Sequence, residues 1–173
     1  MKRVILLLLA LFPAIAFAPP CLAWRGSIVS VRDGDNVLVR CEEDGVVKNI
    51  RLYGIDAPEH PWKGRWERQD FSLEAHAYLG ELLPVGSLVA VDEKYQDAYR
   101  RTVGQIITLP EGRIVQAELL RAGMAWVFPK YCRDCRYWKN IERQARLDGR
   151  GLWEDPEPVP PWVWRRRTVK TRQ

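Results

Sequence analysis

Two acidic groups stand where a fold would expose them. Asp33-Gly34-Asp35 separates two β-branched segments, and Asp56-Ala57-Pro58-Glu59 follows directly on a third. Aspartates at strand ends, beside turns that present backbone carbonyls, supply the oxygen ligands that a hard cation such as calcium takes. Either group alone is also an ordinary turn, since Asp and Gly are common turn residues. Arg51 alone would be a solvated or salt-bridged strand arginine. An arginine, two aspartates and a glutamate converging at strand ends are a less ordinary combination.

Strands must bring these residues together. Residues 27–32 and 36–42 are rich in β-branched side chains, and Asp44-Gly45 is a hairpin turn into a third strand over 46–53. From 64 to 83 the period changes: Phe71, Ala75, Tyr78 and Leu82 mark one face of a helix. Pro84 and Gly86 close it. Residues 87–94 and 102–109 alternate again as strands, followed by a tight turn at Pro110-Glu111-Gly112. A short helix over 115–122 ends at Gly123, and a last one over 134–147 buries Trp138, Ile141 and Ala145. This order predicts a mainly β, α+β fold: a five-stranded Greek-key OB-fold barrel capped by about three helices.

The chain ends divide off. Lys2 and Arg3 precede an apolar run over 4–12 and small residues over 13–23, the order of a secretory signal. The run is too short to cross a bilayer as a helix. Cys21-Leu22-Ala23 places cleavage after Ala23, with Ala18 as the second site and an uncleaved anchor as the alternative. The expected product is exported to the periplasm or beyond, holds no membrane and no stable protein partner, and is a monomer. Residues 24–155 form the domain. The prolines after Trp153 argue against helix or central strand, so 156–173 read as an extended, basic tail containing Trp162 and Trp164.

The net charge of +5 falls to +3 without the first 23 residues, and five more cations lie in 162–173, so residues 24–161 carry −2. A sequence-blind DNA-coating protein spreads its positive charge over the domain surface; composition alone therefore does not mark nucleic-acid binding. Cys132-x-x-Cys135 has redox or half-zinc spacing. Zinc needs about four ligands, and His60 and His76 are distant in sequence, so a local disulfide in an oxidising compartment is favoured. Cys41 shares a strand face with Val37 and Val39 and reads as buried filler.

Asp33-Gly34-Asp35-Asn36 followed by Arg51-Leu52-Tyr53-Gly54-Ile55-Asp56-Ala57-Pro58-Glu59 closely resembles the signature of the staphylococcal nuclease (thermonuclease) family. Asp97-Ala98-Tyr99-Arg100-Arg101, the stretch from Glu118 to Trp126 and Gly151-Leu152-Trp153 match in the same order, so the likeness spans 24–153. The resemblance implies a nuclease cutting DNA and RNA with Ca²⁺ to leave 3′-phosphates. Asp35, Asp56 and the Ala57 carbonyl would bind calcium, with Asp33 acting through water. Glu59 would hold or deprotonate the attacking water, Arg51 and Arg101 would clamp the phosphate, and Tyr99 would seat the nucleotide. The charged tail would add affinity without sharing a catalytic position.

Some residues depart from the pattern. Asn36 stands where threonine is commonest, Ala98 where the best-known member has lysine, and Arg100 where glycine is usual. Arginine at a position of positive φ carries roughly 1 kcal/mol of strain. His60 reads as a partly exposed loop residue or a site lining, and Trp62 and Trp66 as base-stacking or packing groups. The rival readings are a catalytically silent barrel that holds nucleic acid or another polyanion, and a nuclease-like accessory of envelope or polysaccharide assembly.

Overall fold

The computed structural model describes residues 23–61, 67–132 and 135–170, with side chains as far as 167. Residues 1–22, on which the expected secretory signal falls, lie outside the described residues together with Trp62 and Trp66.

In chain order the elements are β1 (Ala23–Asp33), β2 (Asn36–Cys41), β3 (Val47–Leu52), β4 (Ile55–Asp56), α1 (Ser72–Leu82), β5 (Leu88–Gln96), β6 (Thr102–Thr108), α2 (Val115–Arg121), β7 (Trp126–Val127), α3 (Arg136–Leu147) and α4 (Pro161–Lys170). Five strands close into a barrel in the order β1-β2-β3-β6-β5. Alternation makes this ring: Val37, Val39 and Cys41 on β2 and Ile50 and Leu52 on β3 turn inward and are buried, while intervening residues face out. They meet Val89, Val91 and Ile106 in one core, each full burial being worth about 1.5–3 kcal/mol. Cys41 is buried and unpaired, as its strand position predicts.

The β1–β2 pairing is antiparallel, with register shifts between Ile28 and Ser30 and between Val31 and Asp33. Irregular pairing of this kind bends a strand, and here it does so where β1 ends in Asp33. Closure of the ring is the parallel pairing of β3 with β6, Ile50 beside Thr102 and Arg51 beside Val103.

α1 begins at Ser72, later than the sequence period suggests, because Phe71 ahead of it takes a left-handed conformation (φ 62°). Ala75 and Leu79 seat it on the barrel. Trp138 and Ala145 are the buried residues of α3, with Ile141 packed against the core. A disulfide joins Cys132 and Cys135 at the head of α3, the pairing that the spacing favours.

Two features correct the sequence reading. The two-residue β4–β7 ribbon is too short to produce any period. The tail is not an extended strap, since α4 is a helix whose first turn bonds Val163 and Trp164 N–H to the Pro160 carbonyl. Proline is a helix breaker in the interior but a starter at the first helical position, where its missing N–H costs nothing. Pro161 occupies that position.

Candidate active site

The acidic groups meet at the end of the barrel where β1, β2 and β3 turn. Asp33 Oδ1 accepts the Asp35 N–H at 3.0 Å, a side-chain turn that fixes the loop. The Asp35 carbonyl accepts the Leu52 N–H at 2.9 Å, tying this loop to the end of β3. Gly34 is required by close approach, since a Cβ there would lie 2.7 Å from Ala57 Cβ and 3.0 Å from Ala75 Cβ. Gly54 serves the second group: its φ of +74° reverses the chain after β3, and a Cβ would meet the Trp138 ring at 2.5 Å. The chain then returns through β4 to bring Asp56 beside Arg51.

Arg51 bridges the two groups. Its Nη1 donates to Asp35 Oδ1 at 3.0 Å and its Nη2 to Asp56 Oδ1 at 2.6 Å. The Ala57 N–H donates to Asp35 Oδ2 at 3.1 Å, so Ala57 joins the cluster through its amide. Asp56 is wholly buried, as Asp35 nearly is. Burial pushes the Asp35 carboxyl up to about 7 against the pull of Arg51, with Asp33 and Asp56 adding to the rise. Burial likewise raises Asp33 and Glu59, the latter opposed by the Arg165 guanidinium. Arg51 is held above its ordinary range: burial disfavours its charge, but Asp35 and Asp56 outweigh that penalty.

Glu59 is positioned by Gln69, a buried residue. Gln69 Oε1 accepts the Glu59 N–H and the Gln69 N–H donates to the Glu59 carbonyl, both at 3.0 Å. The other end of the amide, Nε2, donates to the Val159 carbonyl at 2.5 Å, linking the Glu59 loop to the segment before α4.

That segment brings in a residue the sequence did not single out. Arg165 on α4 donates to Asp56 Oδ1 at 3.2 Å and Oδ2 at 2.8 Å, and forms an ion pair with Glu59 Oε1. A tail cation therefore reaches the acidic cluster, a contact that the sequence reading does not anticipate. The position of Arg165 in a polyarginine run, with no motif around it, gave no signal; Gln69 likewise stands alone.

The structure brings Asp33, Asp35, Arg51, Asp56, Ala57 and Glu59 together. It does not bring Arg101 or Tyr99 into hydrogen bonding with them. Arg101 Nε donates instead to Asp97 Oδ2 at 2.8 Å, and its backbone N–H and that of Tyr99 both donate to Asp97 Oδ1. The Arg101 guanidinium lies 5.6 Å from the Tyr99 ring centre, and Tyr99 is exposed. Parallel pairing nevertheless starts β6 beside Ile50, directly after Arg101, so the loop flanks the strand that carries Arg51. Within it Arg100 has a φ of 62°, the left-handed conformation that favours glycine. His60 stacks on His76 with ring centres 5.9 Å apart, and its Nδ1 is buried without a hydrogen-bond partner.

An all-oxygen set of carboxylates suits a hard divalent cation. The buried Asn36 Oδ1, a further acceptor at the start of β2, has no hydrogen-bond partner. Among the described residues no three Asp, Glu, His or Cys side chains are gathered tightly enough to grip an ion as they stand. A guanidinium stands between Asp56 and Glu59, a cation in the kind of place a metal would take.

A family model described as staphylococcal nuclease homologue matches residues 49–155. An "Uncharacterized endonuclease" of Escherichia coli O157:H7 is 37% identical over 147 residues, which cover 85% of this chain and 88% of that protein. "Protein ParB" of Escherichia coli is 33% identical over 94% of this chain and 91% of its own. "Micrococcal nuclease" of Shigella flexneri is 32% identical over 96% of both chains. The chain belongs to the staphylococcal nuclease family.

Proposed function

We propose that this family member is a calcium-dependent nuclease that hydrolyses phosphodiester bonds of DNA or RNA and leaves 3′-phosphate ends. One observation carries the reading: Arg51 joins Asp35 and Asp56, and Arg165 joins Asp56 to Glu59, so that acids from separate parts of the chain converge at one end of the barrel.

Asp35 and Asp56 would hold the cation, with Asn36 and Asp33 behind them and the Ala57 carbonyl alongside. Calcium held there would supply positive charge against the negative charge that gathers on the phosphate in the transition state. Glu59 Oε accepts a proton from the attacking water. Its raised pKa brings it nearer to ambient pH, where a general base is most effective. Arg51 and Arg101 present planar forks matched to phosphate oxygens, Arg101 after exchanging its Asp97 contact for substrate. Tyr99, exposed above Arg101, offers a ring for the nucleotide. Water attacks phosphorus, the bond to the 5′ oxygen breaks, and that oxygen takes up a proton to leave a 5′ hydroxyl opposite the 3′-phosphate.

Export to the periplasm or beyond, as a monomer with the segment through Ala23 removed, belongs to the same proposal. The Cys132–Cys135 disulfide supports an oxidising compartment. The test is incubation of the purified protein with plasmid DNA in calcium, with and without chelator, and analysis of fragment ends. No cleavage at any calcium concentration by a protein that binds single-stranded DNA would leave only the binding-module reading.

A further inference from the structure

We propose that α4 is a latch displaced by the cation: Arg165 fills the cation's place between Asp56 and Glu59, and cation binding expels it from the site. The inference rests on the reading of Asp56 as a cation ligand.

Three observations carry it. The first is occupancy. Asp56 is wholly buried, so its lone pairs are met only from within the site. Oδ1 receives both Arg51 and Arg165, and Oδ2 receives Arg165. A carboxylate oxygen offers about two lone-pair directions, so Oδ1 is filled, Oδ2 is half filled, and a cation taking both oxygens of Asp56 has to displace a guanidinium. Of the two, Arg51 is held by Asp35 as well and lies on a strand of the closed barrel, whereas Arg165, with Glu59 as its second partner, lies outside the ring. Arg165 sits on a terminal helix and is the displaceable partner.

The second is charge. Asp33, Asp35, Asp56 and Glu59 gather about two guanidiniums, Arg51 and Arg165, so carboxyls outnumber the fixed positive charges. A divalent cation brings two positive charges where Arg165 brings one, and its repulsion of Arg165 at the shared Asp56 carboxylate works against joint occupancy. The cation gains in charge, and Arg165 gains from being tethered at high effective concentration.

The third is that α4 is docked through contacts of its own. Trp162 stacks on Phe128 with ring centres 5.0 Å apart and planes at 10°. Trp164 Nε1 donates to the Glu67 carbonyl at 3.0 Å, and Gln69 holds both Val159 and Glu59. The helix is therefore aimed at the site by several anchors along its first turns.

The test combines calcium calorimetry on the exported protein and its R165Q variant with hydrogen exchange of residues 161–167. If only latch-open molecules bind, wild-type affinity is reduced by the fraction that is open. R165Q is expected to bind calcium at least about tenfold more tightly than wild type, and saturating calcium is expected to raise exchange in α4 of the wild type. Equal or weaker affinity in a folded R165Q, or an α4 whose protection calcium leaves unchanged, overturns the latch while the cation site stands. Absence of calcium uptake by both proteins overturns the latch together with the cation reading. The exchange measurement needs no variant, so a misfolded R165Q does not shield the proposal.

Discussion

Arg51 Nη2 lies 2.6 Å from Asp56 Oδ1, with the end of β3 and the turn at Gly54 between the two residues in the chain. The same nitrogen is 3.0 Å from Asp35 Oδ2, so one side chain bridges two buried acids. Removing a partner from a buried ion pair typically costs about 3–5 kcal/mol. R51M is expected to fall in that range in urea melts of calcium-free protein. R51K keeps the charge but loses the fork; it is expected to retain most of the stability and lose most of the cleavage rate.

Glu59 tests the assignment of the base. E59Q preserves the backbone bonds to Gln69 and the side-chain shape but removes the proton acceptor. Cleavage of single-stranded DNA is expected to fall by at least about 10²-fold while binding persists. Cleavage within a few-fold of wild type would remove Glu59 from the role.

Asp35 makes stability depend on pH. Its folded-state pKa, about 7, lies above the ordinary value of 3.8. Between these values the folded state retains a proton that the unfolded chain has lost. The contribution is therefore fully present below the lower value and is lost as pH rises through the upper one. D35N, which cannot ionise, is expected to gain stability over calcium-free wild type from about pH 4 to about pH 7 and to level off above. Paired thermal melts across that range check this; a constant difference would place the Asp35 pKa near its ordinary value.

The two arginines after Tyr99 separate by backbone. Arg100 holds a φ of 62°, strained by roughly 1 kcal/mol for a side chain with a Cβ. R100G is expected to raise stability by up to about that amount and to leave cleavage intact. R101K loses the bidentate contact and is expected to lower the cleavage rate. If R100G proves the damaging change, the roles of the two are exchanged.

The barrel was legible because β2 and β3 alternate, β-branched residues fill the other long strands, and the Asp-Gly and Pro-Glu-Gly turns separate them. The carboxylates and Arg51 were legible because they crowd one short stretch and the loop before β2. What remained hidden has physical reasons. β4 and β7 are two residues each, shorter than any period. The start of α1 depends on the left-handed backbone of Phe71, which side-chain spacing does not report. α4 was missed because proline was weighed as a breaker and not as a first residue. Arg165 and Gln69 reach the site through tertiary packing from distant parts of the chain, and nothing in their neighbours marks them. The disulfide followed from two cysteines with no other partners near in sequence.

The parallel seam between β3 and β6 has a kinetic corollary. The β1–β2 and β2–β3 hairpins close over a few residues each, whereas Ile50 and Thr102 are about fifty residues apart when they pair. Loop-closure entropy makes such long-range contacts slow to form. The Tyr53 amide, which donates to Gly104 across that seam at 2.9 Å, is thus expected to gain protection after the hairpin amides during refolding. Because the Arg51–Asp56 turn grows directly from this seam, the acidic cluster takes shape only once the ring has closed, and a refolding chain passes through a barrel-forming stage before it has a site at all.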